Sequence, residues 1–188
     1  MAKAHHHRRL RARHGCDDQH RLPRERRRRA ALGLLRGRLT PVSRIVVSVD
    51  IDAPVARVWG VVEPIERHVD WMADAVAITF EGTQTRGVGT RFLCDTKVGP
   101  IRLQDKMTIT AWEPERTMGV SHTGVVTGTG EFTLAALGDS RTRFTWSERL
   151  IFPWWLGGPI GALVGGQIVM KAIWRRNLRA LKRIVEAS

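Results

Sequence analysis

The chain has 188 residues, 43% of them hydrophobic, which suits one globular domain and leaves little room for a second. Its formal net charge of +13 is unevenly placed, because residues 1–40 carry a net +10 and residues 41–188 only +3. Strongly basic proteins typically bind nucleic acid or anionic membranes. Here that inference applies at most to the first 40 residues, and we do not expect nucleic acid as a partner of the remainder.

The two cysteines and the absence of targeting signals favour a cytoplasmic protein. Cys16 and Cys94 have no metal-type spacing, and a disulfide between them is not expected. The apolar patch at residues 30–35 is too short for a secretory signal. No phosphate-binding loop, dinucleotide fingerprint or zinc-protease motif occurs, so we expect no cofactor and no metal.

Residues 1–41 form an Arg-rich segment without apolar periodicity. Such a segment buries too little surface to offset the entropy lost on ordering, so we expect a disordered extension. Two interpretations stay open. It is either a basic tail that tethers the protein to nucleic acid or anionic lipid, or an upstream extension preceding a true start near Val42. Residues 42–188 are the predicted folded domain.

The folded pattern opens with a strand and two short helices. Apolar residues alternate from Ile45 to Ile51, which indicates a strand. A helix is predicted to begin near Asp52, with Pro54 in its first turn. Pro64 ends that helix, and a second short helix is expected from Ile65 to about Val69.

Six further strands are predicted from alternation between turn residues. One face of these strands carries the apolar set, which should meet the rest of the core. The predicted inward residues are Val76, Ile78, Phe80; Phe92, Cys94, Thr96, Val98; Ile101, Leu103, Asp105, Met107, Ile109, Ala111; Met118, Val120, His122; Gly128, Gly130, Phe132, Leu134; and Thr142, Phe144, Trp146, Glu148, Leu150.

The chain ends in a long predicted helix from Gly161 to about Ala187. Its apolar residues recur every three to four positions, and at 1.5 Å per residue it spans roughly 40 Å. Only an element running along the whole sheet needs such a length.

The segment from Leu150 to Met170 carries no formal charge, which raises the question of a membrane span. Pro153, Pro159 and several glycines interrupt it, so a transmembrane helix is not predicted. Peripheral membrane contact through residues Phe152–Leu156 is a second expectation. The glycines at 157, 158, 161, 165 and 166 either relax the approach of the chain to the helix or, through their missing side chains, widen the mouth of a cavity, and we favour the second interpretation.

The element order, together with several local motifs, resembles the START/pollen-allergen-like (SRPBCC) superfamily, in particular its polyketide cyclase/dehydrase and lipid-transport branch. The resemblance covers residues 44–187 and rests on Val49–Pro54 with Val58-Trp59, Trp71, Trp112-Glu113-Pro114, Gly128–Phe132, Thr142–Trp146 and Leu178–Glu186. It implies an α+β helix-grip fold, in which a curved seven-stranded antiparallel sheet wraps around the C-terminal helix and two short helices close one end. Members bind sterols, lipids, hormones or polyketides in an apolar tunnel, and a minority catalyse cyclisation or dehydration.

Polar residues at positions where the alternation predicts an inward-facing side chain are informative, because most residues at such positions are apolar. Asp105, His122 and Glu148 are the candidate catalytic residues, because two acids and an imidazole in one cavity can perform general acid/base chemistry. Two alternatives stay open. In the first, these three side chains form hydrogen bonds with one another, with a water in the cavity or with a ligand. In the second, strand bulges turn one or more of them toward solvent. His68 is expected on the surface or in a lid.

The primary hypothesis is binding or transport of a hydrophobic small molecule; the rivals are a cyclase/dehydrase-type enzyme and an interaction protein tethered by its basic tail. The sequence does not specify an oligomeric state. The expected ligand contacts are Trp71, Phe92, Thr96, Met107, His122, Phe132, Trp146, Glu148, Leu163, Gln167 and Met170.

Overall fold

A computed structural model describes residues 43–125, 127–151 and 167–188. The expectations for the basic extension, for the Phe152–Leu156 segment, for the glycines at 157–166 and for Leu163 lie outside these residues. No helix in the described ranges combines the length and hydropathy that crossing a membrane requires.

Seven antiparallel strands form one sheet in the order β1-β7-β6-β5-β4-β3-β2. The strands from β2 to β7 follow one another as a meander, and β1 closes the order by pairing with β7. Their bounds are β1 Ser43–Ile51, β2 Ala75–Phe80, β3 Arg91–Val98, β4 Ile101–Glu113, β5 Thr117–Thr123, β6 Thr127–Ala136 and β7 Thr142–Ile151.

The alternating pattern placed most inner-face residues correctly. In β7 every second residue from Thr142 to Leu150 is buried, as expected for a strand with one face on the core. Three expectations were wrong. Ala111 lies on the outer face, because a bulge between Ile109 and Ala111 shifts the register of β4 and Trp112 takes the inner position. Val76 is 51% exposed, because a bulge between Ala75 and Ala77 reverses the alternation at the start of β2. Ile101 is 44% exposed, because it directly follows the turn that joins β3 to β4.

Two short helices connect β1 to β2. Helix α1 spans Val55–Val62, with Pro54 as its N-cap in extended conformation rather than inside the first turn as predicted. A 3₁₀ helix then spans Ile65–Asp70. Both helices bury apolar residues, so they close one end of the core.

The C-terminal helix α2 spans Gln167–Ala187 within the described residues. Its inner side buries Trp174, Leu178, Leu181 and Val185, which repeat at the predicted helical spacing. The ring of Trp174 stacks on that of Trp146 in β7, with centroids 4.8 Å apart and planes at 17°. The helix-grip α+β architecture predicted from the sequence is therefore present.

Asn177 fixes the position of α2 along the sheet. This buried residue accepts a hydrogen bond from the Ala73 backbone N–H (3.1 Å) and donates one to the Asp74 carboxylate (2.6 Å). Near the helix end, Lys182 donates to the Asp50 carbonyl oxygen at 2.7 Å. Polar contacts thus hold the helix at two points along its length, at Asn177 and at Lys182.

Replacing Asn177 with Ala removes both hydrogen bonds and leaves the Ala73 N–H and the Asp74 carboxylate without these partners. We expect the free energy of unfolding to fall by about 2–3 kcal/mol, measured by chemical denaturation. The neighbouring exposed residue provides the matched control: Arg176→Ala should change it by less than about 0.5 kcal/mol. Equal effects of the two substitutions would contradict the assigned role of Asn177.

Candidate functional site

An internal cavity of about 170 Å³ lies between the inner face of the sheet and α2. Residues from β2 to β7, the 3₁₀ helix and α2 contribute to its lining, most of which is apolar. The apolar lining consists of Ile65, Met72, Ala75, Ile78, Phe92, Val98, Leu103, Met107, Ile109, Met118, Val120, Phe132, Trp146, Leu150, Met170 and Trp174.

Most of the residues predicted to contact a ligand line this one cavity. The three candidate acid/base residues do so, together with six of the other predicted contacts, which are Phe92, Thr96, Met107, Phe132, Trp146 and Met170. For all of them except Met170, which lies on α2, the common location follows from their shared parity on neighbouring antiparallel strands.

Two predicted contacts do not line the cavity. Trp71 is 2% exposed, and its ring packs against those of His68, Phe132 and Trp146, which do line it. Trp71 therefore supports the cavity wall from behind. Gln167, the first described residue of α2, is half-buried and is not among the lining residues.

The expectation for His68 was wrong, because this residue is buried at 6% exposure and lines the cavity. Its Nε2–H donates to the carbonyl oxygen of Val62 at 2.7 Å. Burial lowers the pKa of His68 to about 4, so its imidazole is neutral at pH 7. A 3₁₀ helix of six residues is too short for its periodicity to show from sequence which of its side chains points inward.

Two glycines of β6, Gly128 and Gly130, bring residues of the flanking strands together. Gly130 lies between Val120 of β5 and Glu148 of β7 in the register of the sheet. A Cβ atom on Gly130 would lie 3.0 Å from Glu148 Oε1. A Cβ on Gly128 would overlap the carbonyl oxygen of Arg149. Gly130 thus leaves the space above β6 that the Glu148 side chain occupies, and Gly128 allows close approach of the β7 backbone.

Across this glycine pair the His122 imidazole of β5 approaches the Glu148 carboxyl of β7. His122 Nε2 lies 3.7 Å from Glu148 Oε1, and the two side chains are only 9% and 7% exposed. This distance is too long for a direct hydrogen bond. Glu148 Oε1 instead accepts the indole N–H of Trp146 at 2.9 Å.

Burial governs the ionisation of this pair. It raises the pKa of Glu148 to about 8, partly opposed by the hydrogen bond from Trp146. It lowers the pKa of His122 to about 4. At pH 7 Glu148 is therefore a neutral carboxylic acid and His122 a neutral imidazole, which suits an apolar surrounding.

Asp105 and Cys94 face each other in the register of β3 and β4, and both line the cavity. The Asp105 carboxyl lies against Gly124, where a Cβ atom would overlap it. Burial raises the pKa of the Cys94 thiol to about 11, so this thiol stays protonated at pH 7 and is a poor nucleophile. In the described part of the chain, no group of three His, Cys, Asp or Glu side chains is arranged to hold a metal ion.

Comparison with known proteins gives one family. A sequence model of the family described as polyketide cyclase / dehydrase and lipid transport matches residues 43–186. Among curated proteins, none matches the chain.

Solved structures share the fold at low sequence identity. The Zhui aromatase/cyclase from a Streptomyces species is 17% identical, with a TM-score of 0.60 over 77% of this chain and 94% of the other. A START superfamily protein from Mycobacterium smegmatis is 11% identical, with a TM-score of 0.64 over 77% and 97%. A Thermus thermophilus protein is 17% identical, with a TM-score of 0.62 over 77% and 98%.

The ionisation of Glu148 predicts how stability depends on pH. Its folded pKa of about 8 exceeds its ordinary value of 4.5, so stability falls as pH rises between these values. His122 and His68, whose pKa values burial lowers from 6.5 to about 4, have the opposite effect, which fades above pH 6.5. Between pH 6.5 and 8 we therefore expect the free energy of unfolding to fall by about 1 kcal/mol.

Denaturation of Glu148→Gln over the same pH range tests this assignment. The glutamine side chain does not titrate, so the stability of this variant should no longer fall between pH 6.5 and 8, and the two buried histidines should raise it slightly. Glu113→Gln, at an exposed carboxylate with a side-chain exposure of 60%, should keep the slope of the unmodified protein. If the slope persists in Glu148→Gln, it comes from another group.

Proposed function

The chain belongs to the polyketide cyclase/dehydrase and lipid-transport family, and from this premise we propose that it binds or carries an apolar small molecule in its internal cavity. The observation that carries the proposal is the cavity itself, which lies between the sheet and α2 and is lined mainly by apolar side chains. An apolar molecule that enters such a space leaves water at a gain of roughly 25 cal/mol per Å² of apolar surface buried.

The size and composition of the cavity support this proposal. Its volume of about 170 Å³ is similar to that of an apolar protein cavity that takes up benzene, about 150 Å³. Packing in protein interiors normally leaves few voids larger than a water molecule. A cavity of this size with a largely apolar lining therefore favours a ligand over a packing defect.

Filling the cavity should abolish binding. Met107 lies on β4 opposite His122 and lines the cavity, so Met107→Trp places an indole in the ligand space. We expect at least about tenfold weaker binding of the neutral fluorescent probe aminoanthracene, measured by titration of its emission.

The matched control is the preceding residue. Lys106 is 66% exposed on the outer face, so Lys106→Trp adds the same side chain outside the cavity and should leave the affinity unchanged. If the unmodified protein does not bind the probe or any apolar competitor, or if both variants bind equally well, ligand binding in this cavity is refuted.

The pairing of His122 with Glu148 favours a second candidate function, dehydration of a β-hydroxy carbonyl compound. A neutral imidazole can accept the α proton while a neutral carboxylic acid donates its proton to the departing hydroxyl group. The C–H and C–O bonds break, a C=C bond forms and water leaves. The family contains both enzymes and carriers in its description, and the same pair would also serve a carrier as a polar contact.

A turnover assay separates the two functions. The probe substrate is the β-hydroxy ketone formed from benzaldehyde and acetone, whose dehydration produces a conjugated enone with strong ultraviolet absorbance. As an enzyme, the protein should lose at least about 100-fold activity in His122→Ala and Glu148→Gln, while Cys94→Ser retains it. Probe binding without turnover in the unmodified protein would support the carrier and contradict the enzyme.

A further inference from the structure

Two of the polar side chains that line the cavity, those of His122 and Glu148, lie on the strands that flank Gly128 and Gly130 of β6. Among the other polar lining residues, Asp74 is engaged by Asn177, and the Thr96 hydroxyl lies 3.8 Å from the Cys94 thiol. His122 and Glu148 differ from these, because both present polar atoms to the cavity that their protein contacts do not use.

His122 carries the clearest indication of a ligand. Its Nε2 atom is buried and has no hydrogen-bond partner among the described residues, and the His122 side chain is 9% exposed. A buried polar atom without a partner is costly, so such atoms are rare in folded proteins. This nitrogen lines the ligand space, where a polar atom of a bound molecule can reach it.

Glu148 offers the complementary group. The Trp146 indole occupies Oε1, and the described residues provide no hydrogen bond to Oε2. Since Nε2 and Oε1 are 3.7 Å apart, one oxygen atom of a ligand can contact both side chains. A hydroxyl oxygen can donate to one of them and accept from the other, and a carbonyl oxygen can accept from either.

We propose that the cavity selects apolar molecules that carry an uncharged hydroxyl or carbonyl group, which His122 and Glu148 bind together. This inference rests on the proposed function, whose ligand class it narrows. It also predicts the orientation of the ligand, with the oxygen beside the glycine pair and the apolar body among the methionines and aromatic rings of the lining.

Charged head groups fit the site less well. No Lys or Arg is found among the described lining residues, whereas Asp74, Asp105 and Glu148 are, so a carboxylate would meet acids without a cation. An ammonium group would have to form a buried ion pair with one of these acids, at the cost of desolvating both charges. An uncharged oxygen avoids both costs.

A matched series of competitors tests the selectivity. Decanol, decanoate and decylamine share one alkyl chain and differ in their head groups, and each can displace aminoanthracene from the unmodified protein at neutral pH. We expect decanol to bind at least about tenfold more tightly than either charged competitor. Equal or tighter binding of decanoate or decylamine would overturn the inference.

Variants assign the selectivity to the two side chains. His122→Leu and Glu148→Leu should each weaken decanol binding about tenfold, whereas Arg149→Leu, at an exposed residue on the outer face of β7, should leave it unchanged. Glu148→Gln should retain decanol, because its amide both donates and accepts. Unchanged decanol binding in both His122→Leu and Glu148→Leu would also overturn the inference.

These outcomes are distinct from failure of the proposed function. If neither aminoanthracene nor any competitor binds the unmodified protein, ligand binding itself is refuted. If all of them bind regardless of head group, the ligand-binding function stands and only the proposed selectivity is lost.

Discussion

The stacked rings of Trp146 and Trp174 are the contact on which the cavity depends. They join the last strand of the sheet to the C-terminal helix, and both also form part of the lining. Phe132 and Trp71 pack edge-on or tilted against Trp146 and extend this contact into an aromatic cluster. Because aromatic rings are large and rigid, the cluster sets the separation between helix and sheet, and the space beside it remains available to a ligand.

The glycine pair of β6 allows two polar side chains, those of His122 and Glu148, to lie close together in the cavity. A side chain at Gly130 would meet the Glu148 carboxyl, so His122 and Glu148 approach each other only because the strand between them is bare. Glycine weakens a strand interior, since it packs nothing and loses more entropy on folding than other residues. The protein therefore accepts a local cost in stability at the point where two of its buried titratable groups meet.

The sequence predicted the fold well, and the site in part. Alternation and helical spacing are direct consequences of burying one face, so the seven strands and the inner face of α2 could be anticipated. Parity also placed Asp105, His122 and Glu148 on the cavity side. The distance between His122 and Glu148 could not be anticipated, because it depends on the register across β6, which alternation does not specify. The alternation of apolar residues also does not reveal a β-bulge, such as the one that leaves Val76 exposed.

The hydrogen bonds of Asn177 limit how the cavity can adapt to different ligands. Sliding α2 by one turn would separate its amide from Ala73 and Asp74, so the helix has one favoured axial position rather than a continuum. The main frame of the cavity is therefore stiff. Four methionines, Met72, Met107, Met118 and Met170, line it, and their unbranched thioether chains change shape at little cost. The methionine side chains therefore allow the cavity to accommodate ligands of different shapes, while the backbone around it keeps its conformation.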